Sequence, residues 1–576
     1  MKRLFVGILL LLITVALIAL VAGISFRSAL GPAHEHYPER AVYAPHASVA
    51  TSQPLASQAG LAVLQHGGNA IDAAITAAAV LSVVEPHMSG LGGDLFAILW
   101  SAEEQQLVGI NASGRSGTLM TREALSKNGR IPGDGPKTIT IPGALSGWSA
   151  LLERYGTITL KEALEPAIAI AREGFPISDV TAAEWKVFES ILKSDSGAIH
   201  TFLNNDSQLP EPGDWFSNPD YATTLQQIAT YGPQWLYGGE LGNNIAHHVK
   251  KLGGFLTPLD FAEHQAVWEK PIATSFNGYN IWQMPPNGQG LAVLEMFKLL
   301  EDFDLESMEH NSAAYLHYLI EAKKLAFADL EQVVGDPSNM MVSPMQLLSD
   351  EYIANRRSYI DANQAMAVQE PDPSLTHSET TYLAAVDENG NMVSLISSLA
   401  GGFGSGVVVP GTGFALQNRG VGFTYEPNRV NTVAPKTLPF HTIIPGFVTK
   451  TISDGKDEPW LAYGIVGGPQ QPQAQVQVLL NMMLFDMNVQ EALDAPRFRH
   501  WEDNRVSFES SIPASVIKSL RKMGHAPQNP IMETAQTIFL GSNGGLTFGC
   551  GQVIMKNKKG YIAGSDTRRD GIAAAY

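Results

Sequence analysis

Ser378-Glu-Thr-Thr-Tyr-Leu-Ala-Ala-Val-Asp-Glu-Asn-Gly-Asn-Met-Val-Ser-Leu-Ile396 is the stretch on which the reading of this chain turns. Two runs rich in β-formers, 381–386 and 392–396, flank Asp387-Glu-Asn-Gly-Asn391, so the segment predicts a hairpin with Asn-Gly in its turn. Upstream the texture differs. Residues 54–68 predict a helix ending in the pair Gly67-Gly68, and 69–82 an Ala-rich helix suited to close packing on a sheet. Residues 96–100 and 107–110 predict paired strands, while 145–175 and 220–330 read as mainly helical. Beyond 380, strand-like runs recur at 406–416, 441–449 and 460–466, a helix follows from about 473 to 485, and two strands close the chain. The expected order is helices, then sheet, with a boundary near 379, and no repeat at periods of 20–50 residues.

Composition narrows the function. The 576 residues carry a formal charge of −18, with 45% hydrophobic and 16% charged residues, enough to bury a large core. Length alone fits several domains or one large α/β unit with intertwined halves. The acidic balance argues against a nucleic-acid partner, which needs a basic footprint. The single cysteine, Cys550, excludes an intrachain disulfide and a multi-cysteine metal site, and its apolar surroundings predict a buried thiol. Gly90-Leu-Gly-Gly93 lacks the Lys-Ser/Thr of a phosphate loop, and His87 and His441 stand alone and read as structural, so neither metal nor cofactor is expected. At the start, Lys2 and Arg3 precede an apolar run from Leu4 to about Phe26, long enough to span a bilayer. An uncleaved signal anchor over 1–26 is expected in preference to a cleaved peptide. A polar linker over 27–50 and a periplasmic or extracellular remainder would follow.

Further motifs surround the hairpin. Upstream stand His66-Gly-Gly-Asn-Ala-Ile-Asp-Ala-Ala74, Ser89-Gly-Leu-Gly-Gly-Asp94 and Ile141-Pro-Gly-Ala-Leu-Ser-Gly-Trp148. Downstream stand Gly401-Gly-Phe-Gly-Ser-Gly406, Gly411-Thr-Gly-Phe-Ala-Leu-Gln-Asn418, Gly464-Ile-Val-Gly-Gly468, Glu491-Ala-Leu-Asp-Ala-Pro-Arg-Phe498 and Gly564-Ser-Asp-Thr-Arg-Arg-Asp-Gly571. This set, in this order from about residue 47 to 576, resembles the gamma-glutamyltransferase family. The resemblance implies a four-layer αββα sandwich of the N-terminal-nucleophile type, an α/β (α+β) fold. It also implies self-cleavage between Glu379 and Thr380, with a large chain (51–379) and a small chain (380–576) that stay together.

The chemistry is coherent. A threonine hydroxyl needs a base, and cleavage frees an α-amine on the same residue, with an ordinary pKa of about 7.7–8.0. Threonine is stiff at χ1, which aims the hydroxyl. Thr381 is the rival nucleophile. By match to the family, Ser398 supports the nucleophile and the N–H groups of Gly467 and Gly468 hold the oxyanion. Arg115, with shifted local spacing, falls near the arginine that binds substrate carboxylate. The implied substrate is a small amide, glutathione-like or with an acidic acyl group, and the acceptor is water or an amine.

The γ-glutamyl pocket departs from the family pattern. Its Asn is Ala400 here, its Gln is Arg419, its Asp is Gly422, and its Ser pair is missing from 438–442. Losing that Asp removes the partner of a substrate ammonium, Arg419 adds positive charge, and Arg419 and Arg115 are expected to bind an acidic acyl group. This texture is similar to cephalosporin (glutaryl) acylase-like and oxamate amidohydrolase-like members. Three readings follow: hydrolysis or acyl transfer on γ-glutamyl-like amides, hydrolysis of an acidic acyl group without an α-amine, and a membrane-tethered binding protein without catalysis. The persistence of Thr380, Ser398, Gly467 and Gly468 disfavours the third.

Overall fold

The computed structural model describes residues 40–125, 130–204, 206–367, 379–452, 455–527 and 545–576. Fourteen strands build two sheets: β1 (Val42–Ala44), β2 (Ser48–Thr51), β3 (Asp94–Ser101), β4 (Gln106–Ala112), β5 (Val267–Glu269), β6 (Ile272–Phe276), β7 (Tyr279–Gln283), β8 (Glu379–Val386), β9 (Met392–Ala400), β10 (Gly446–Thr451), β11 (Asp457–Ile465), β12 (Gly551–Lys556), β13 (Tyr561–Ser565) and β14 (Ile572–Ala575). One sheet runs β1-β13-β12-β11-β10-β7-β6 and the other β14-β2-β8-β9-β3-β4-β5. The hairpin of the opening stretch is β8–β9, at the centre of the second sheet. Asp387 shapes its turn, accepting from the backbone N–H groups of Asn389 and Asn391 at 3.0 Å each.

Strand alternation sorts the side chains into layers. Leu383 and Ala385 of β8, with Val393 and Leu395 of β9, pack under helices α1 (Pro54–Gln65) and α2 (Ala70–Val84). Tyr382, Ala384, Val386, Met392 and Ile396 point the other way, into a core between the sheets that also holds Ala462 and Phe447. On the far side of the first sheet, Leu461, Tyr463 and Ile465 bury against α3 (Gly290–Leu300), α4 (Ala313–Val333) and α5 (Gln470–Leu484). Helices, sheet, sheet and helices make the expected αββα order, with an apolar core in each of the three interfaces.

Several expectations need correction. The helical reading of 220–330 missed β5, β6 and β7, although Asn277-Gly278 between β6 and β7 is itself a hairpin signal. Strands from before residue 379 therefore lie in both sheets, and the order is not helices then sheet. Residues 406–416 form no strand, only an isolated bridge between Val408 and Ala415; glycines 406, 411 and 413 take positive φ and turn the chain instead. The run 441–449 becomes a strand only from Gly446, and after α5 the chain forms three short strands, Phe498–His500, Arg505–Phe508 and Ala526–Pro527, before β12, β13 and β14, where two strands are expected. The linker placed over 27–50 already contains β1 and β2. The apolar run 4–26 lies outside the described residues, among which no helix is long and apolar enough to cross a membrane.

Candidate active site

Thr380 sits near the start of β8, fully buried. The pairing with β9 is irregular there: Glu379 faces Ala400 and Thr381 faces Ser397, so Ser398 and Leu399 both stand opposite Thr380. Such a bulge re-aims the chain at this point, and Ala400 beside it is held at φ +77°. The two threonines differ. Thr381 points toward the helices and its hydroxyl donates to Ser89 Oγ at 2.9 Å. Thr380 lies on the alternate face with Tyr382, and its Oγ1 is buried with no hydrogen-bond partner among the described residues. A buried hydroxyl without a partner is costly, on the order of 1–3 kcal/mol, and marks a group held for chemistry more than for stability.

Ser398 shares that face. Its Oγ accepts from Ala400 N at 2.8 Å and from Arg419 Nη2 at 3.0 Å. Arg419, only 1% exposed, also donates through Nη1 to Thr442 Oγ1 at 2.9 Å. Directly across β3–β9 from Ser398 is Asp94. Its Oδ1 accepts from Gly114 N at 2.9 Å and Gln417 Nε2 at 3.1 Å, and its Oδ2 pairs with His441 Nε2 at 2.9 Å. Burial pushes the Asp94 carboxyl up to about 7, against the opposing pull of the Arg419 charge. Burial brings Arg419 down to about 10, with Asp94 counteracting. Burial and the Arg419 charge hold His441 well below the usual histidine range, so a neutral ring shares this hydrogen bond with Asp94.

Gly467 and Gly468 form the turn between β11 and α5, at φ +116° and +58°. Neither N–H donates a hydrogen bond among the described residues, the condition an oxyanion site requires. Gly464, three residues earlier, lies over the Tyr382 ring, which brings this end of β11 across the inter-sheet layer toward the start of β8. Gln289 ties the turn down: its Nε2 donates to Thr442 O at 2.5 Å and Gly468 O at 2.8 Å.

The gamma-glutamyltranspeptidase family model matches residues 56–576. The chain belongs to the gamma-glutamyltranspeptidase family. It is 36% identical over 506 residues to the glutathione hydrolase-like YwrD proenzyme of Bacillus subtilis (strain 168), covering 86% of this chain and 94% of that protein. It is 33% identical over 489 residues to the acylase ACY 1 proenzyme of Pseudomonas sp. (strain SE83), covering 83% and 86%. Among solved structures, the cephalosporin acylase from Bacillus halodurans superposes with a TM-score of 0.86 at 40% identity, covering 95% of this chain and 99% of that one. All three relatives are named for hydrolases or acylases, and two carry the name proenzyme.

Of the residues matched to this family by motif, Thr380, Ser398 and Arg419 converge, and Gly467–Gly468 joins them through Gln289 and Thr442. Arg115 does not. Its half-exposed guanidinium donates to Asp336 Oδ2 at 2.6 Å and Lys436 O at 3.0 Å. It lines a cleft of about 630 Å³ with Ser113, His264, Glu269 and Leu438, whose walls do not include Thr380, Ser398 or Arg419. His87 is the structural histidine expected, bonded to Glu184 at 2.8 Å and Trp185 Nε1 at 3.0 Å, and the Cys550 thiol is buried. Sequence reading overlooked Asp94, Thr442 and Gln289 as site residues. An Asp closing a Gly-rich motif was a usable signal, but its pairing with Ser398 depends on register, which motif reading does not supply.

Proposed function

We propose that this protein is an amide hydrolase that cuts its own chain between Glu379 and Thr380 and then works through the freed Thr380, on acyl groups that carry no α-ammonium. In the intact chain the Thr380 hydroxyl attacks the Glu379 carbonyl, the peptide bond shifts to an ester and so frees the Thr380 amine, and water then hydrolyses the ester to release the Glu379 carboxylate and the hydroxyl. That amine then serves as base for the same hydroxyl on an amide substrate. The tetrahedral oxyanion is held by the Gly467 and Gly468 N–H groups, the amine product leaves, and water resolves the acyl-enzyme.

The acyl preference is carried by Gly422. Its φ is not in the left-handed range, so it is a glycine for want of space: an added Cβ would stand 2.3 Å from Phe440 O. No carboxylate fits where the family places the partner of the donor's ammonium, and Asp94 is enclosed by its own hydrogen bonds. A buried ammonium without a partner is disfavoured by several kcal/mol. The names of the acylase relatives fit this reading, whereas the glutathione hydrolase-like relative favours a γ-glutamyl donor. Matched glutaryl and γ-glutamyl anilides, which differ only in the α-amine, decide between them. We expect kcat/KM on the order of a hundredfold higher for the glutaryl compound, and a higher value for the γ-glutamyl compound refutes the assignment. The segment 1–26 is proposed to anchor the enzyme with its catalytic part outside the cytoplasm.

A further inference from the structure

We infer that Arg419 is a positioning residue that holds Ser398 and the oxyanion turn in one arrangement, and is not the ligand of a substrate carboxylate. The inference rests on Thr380 being the nucleophile. Three observations carry it. First, the guanidinium is almost wholly enclosed and both its Nη atoms are engaged, one on Ser398 Oγ at 3.0 Å and one on Thr442 Oγ1 at 2.9 Å. Second, a carboxyl of the protein itself, Asp94, lies directly across from Ser398 on the neighbouring strand and already acts on the Arg419 charge. Third, Thr442 passes the restraint on, because its carbonyl accepts from Gln289 Nε2, which also donates to Gly468 O.

The consequence for Ser398 is directional. A hydroxyl has two lone pairs and one proton. Ala400 N and Arg419 Nη2 occupy both lone pairs, so the Ser398 oxygen cannot take up a proton from Thr380. Ser398 is therefore not the base, which must come from elsewhere, namely the Thr380 amine, and its part is to keep the surroundings of Thr380 in the arrangement that Arg419 fixes. Arg419 acts through Ser398 and never touches the acyl group.

The test uses the full chain with Arg419→Gln and Arg419→Lys, assayed on glutaryl and butyryl p-nitroanilides, which differ in the charge of the acyl tail. Rates are normalised to the cleaved fraction on a denaturing gel. For Arg419→Gln we expect kcat to fall about 10–100-fold on both substrates, KM to move less than about twofold, and the glutaryl-to-butyryl ratio to hold, as for loss of one hydrogen bond to a charged group. Lysine restores only part of the rate, because a point charge cannot span two hydroxyls. In a double-mutant cycle, adding Arg419→Gln to Ser398→Ala should lower kcat by no more than about threefold further. A rise in KM confined to the glutaryl substrate makes Arg419 a substrate ligand and overturns the inference, as do additive losses in the cycle. If Arg419→Gln fails to fold, Thr442→Val removes one of the two anchors and leaves the charge. A kcat equal to the parent's in that variant overturns the inference, and a loss shared by both substrates supports it. A Thr380→Ala chain that stays active would instead refute the nucleophile assignment itself.

Discussion

Gly422→Asp restores the residue the family uses to bind a donor ammonium, and on this backbone it should fail. The added Cβ would lie 2.3 Å from Phe440 O, where real Cβ atoms keep at least 3.0 Å, so backbone must yield by 0.7 Å or more on one side. Overpacking of this kind costs about 1–3 kcal/mol. A carboxylate enclosed without a cation adds a few kcal/mol more, unless it takes up a proton and loses its purpose. Gly422→Ala carries the steric part alone, so the difference between the two variants isolates the charge. The segment that must move, Phe440, precedes His441 and Thr442, so the displacement also loosens the Arg419 clamp. Urea unfolding in an uncleaved Thr380→Ala background should therefore show a loss of about 1–3 kcal/mol for Ala and more for Asp, and in the cleavable chain both variants should lose kcat on glutaryl and γ-glutamyl anilides alike. If Gly422→Asp is as stable as its parent and turns the preference toward the γ-glutamyl compound, position 422 has room after all and the steric argument is wrong.

Three further outcomes are expected. Thr380→Ala should stay as one uncut band and be inactive, and Thr380→Ser should cut slowly; amino-terminal sequencing of the small fragment should begin at Thr380, and a start at Thr381 moves the nucleophile by one position. Deleting residues 1–26 should yield a soluble, active protein, and an aggregated, inactive product would make that segment part of the fold. Asp94 has a folded pKa raised from 3.8 to about 7, so its contribution to stability is fully present below the unfolded value and is lost as pH rises through about 7. In the uncleaved background, Asp94→Asn should flatten the fall in stability between pH 4 and 7 by up to one proton, about 1.4 kcal/mol per pH unit, and an unchanged slope by urea unfolding refutes the assignment.

The legible parts of this molecule are those whose signal is local. The β8–β9 hairpin follows from β-formers flanking an Asn-Gly turn, and α1 and α2 from their period and caps. Thr380, Ser398 and the Gly467–Gly468 pair came from motif matching, and the structure gathers them around one end of the inter-sheet core. The parts that were not legible depend on register or on contacts between distant segments. Arg419 showed as a charge in the sequence, but its engagement by Ser398 and Thr442 depends on how residues 21 and 23 positions apart are folded together. Arg115 matched by type, yet Asp336, more than two hundred residues away, takes its guanidinium. The hairpin β6–β7 was overlooked because the surrounding helices dominate the periodicity of 220–330.

The placement of the proposed cut accounts for how one scission would create an active site without dissolving the fold. Strands from the two sides of Glu379–Thr380 are interleaved in both sheets: β1 pairs with β13, β7 with β10, β2 with both β8 and β14, and β3 with β9. Each half therefore completes the other's sheets, and all three apolar layers draw side chains from both. Breaking one peptide bond removes no strand pairing beyond the first residue of β8, because Leu383–Val386 remain locked to β2 and Tyr382–Val386 to β9. The bulge has already separated Glu379 from the regular ladder, so the bond to be cut lies where the sheet loses least. What changes is local. An amide nitrogen becomes an amine on the residue whose hydroxyl is already buried without a partner, on the face it shares with Ser398. On the proposed mechanism folding must therefore precede cutting, and a chain that cannot interleave its halves would have no means of making its own catalyst.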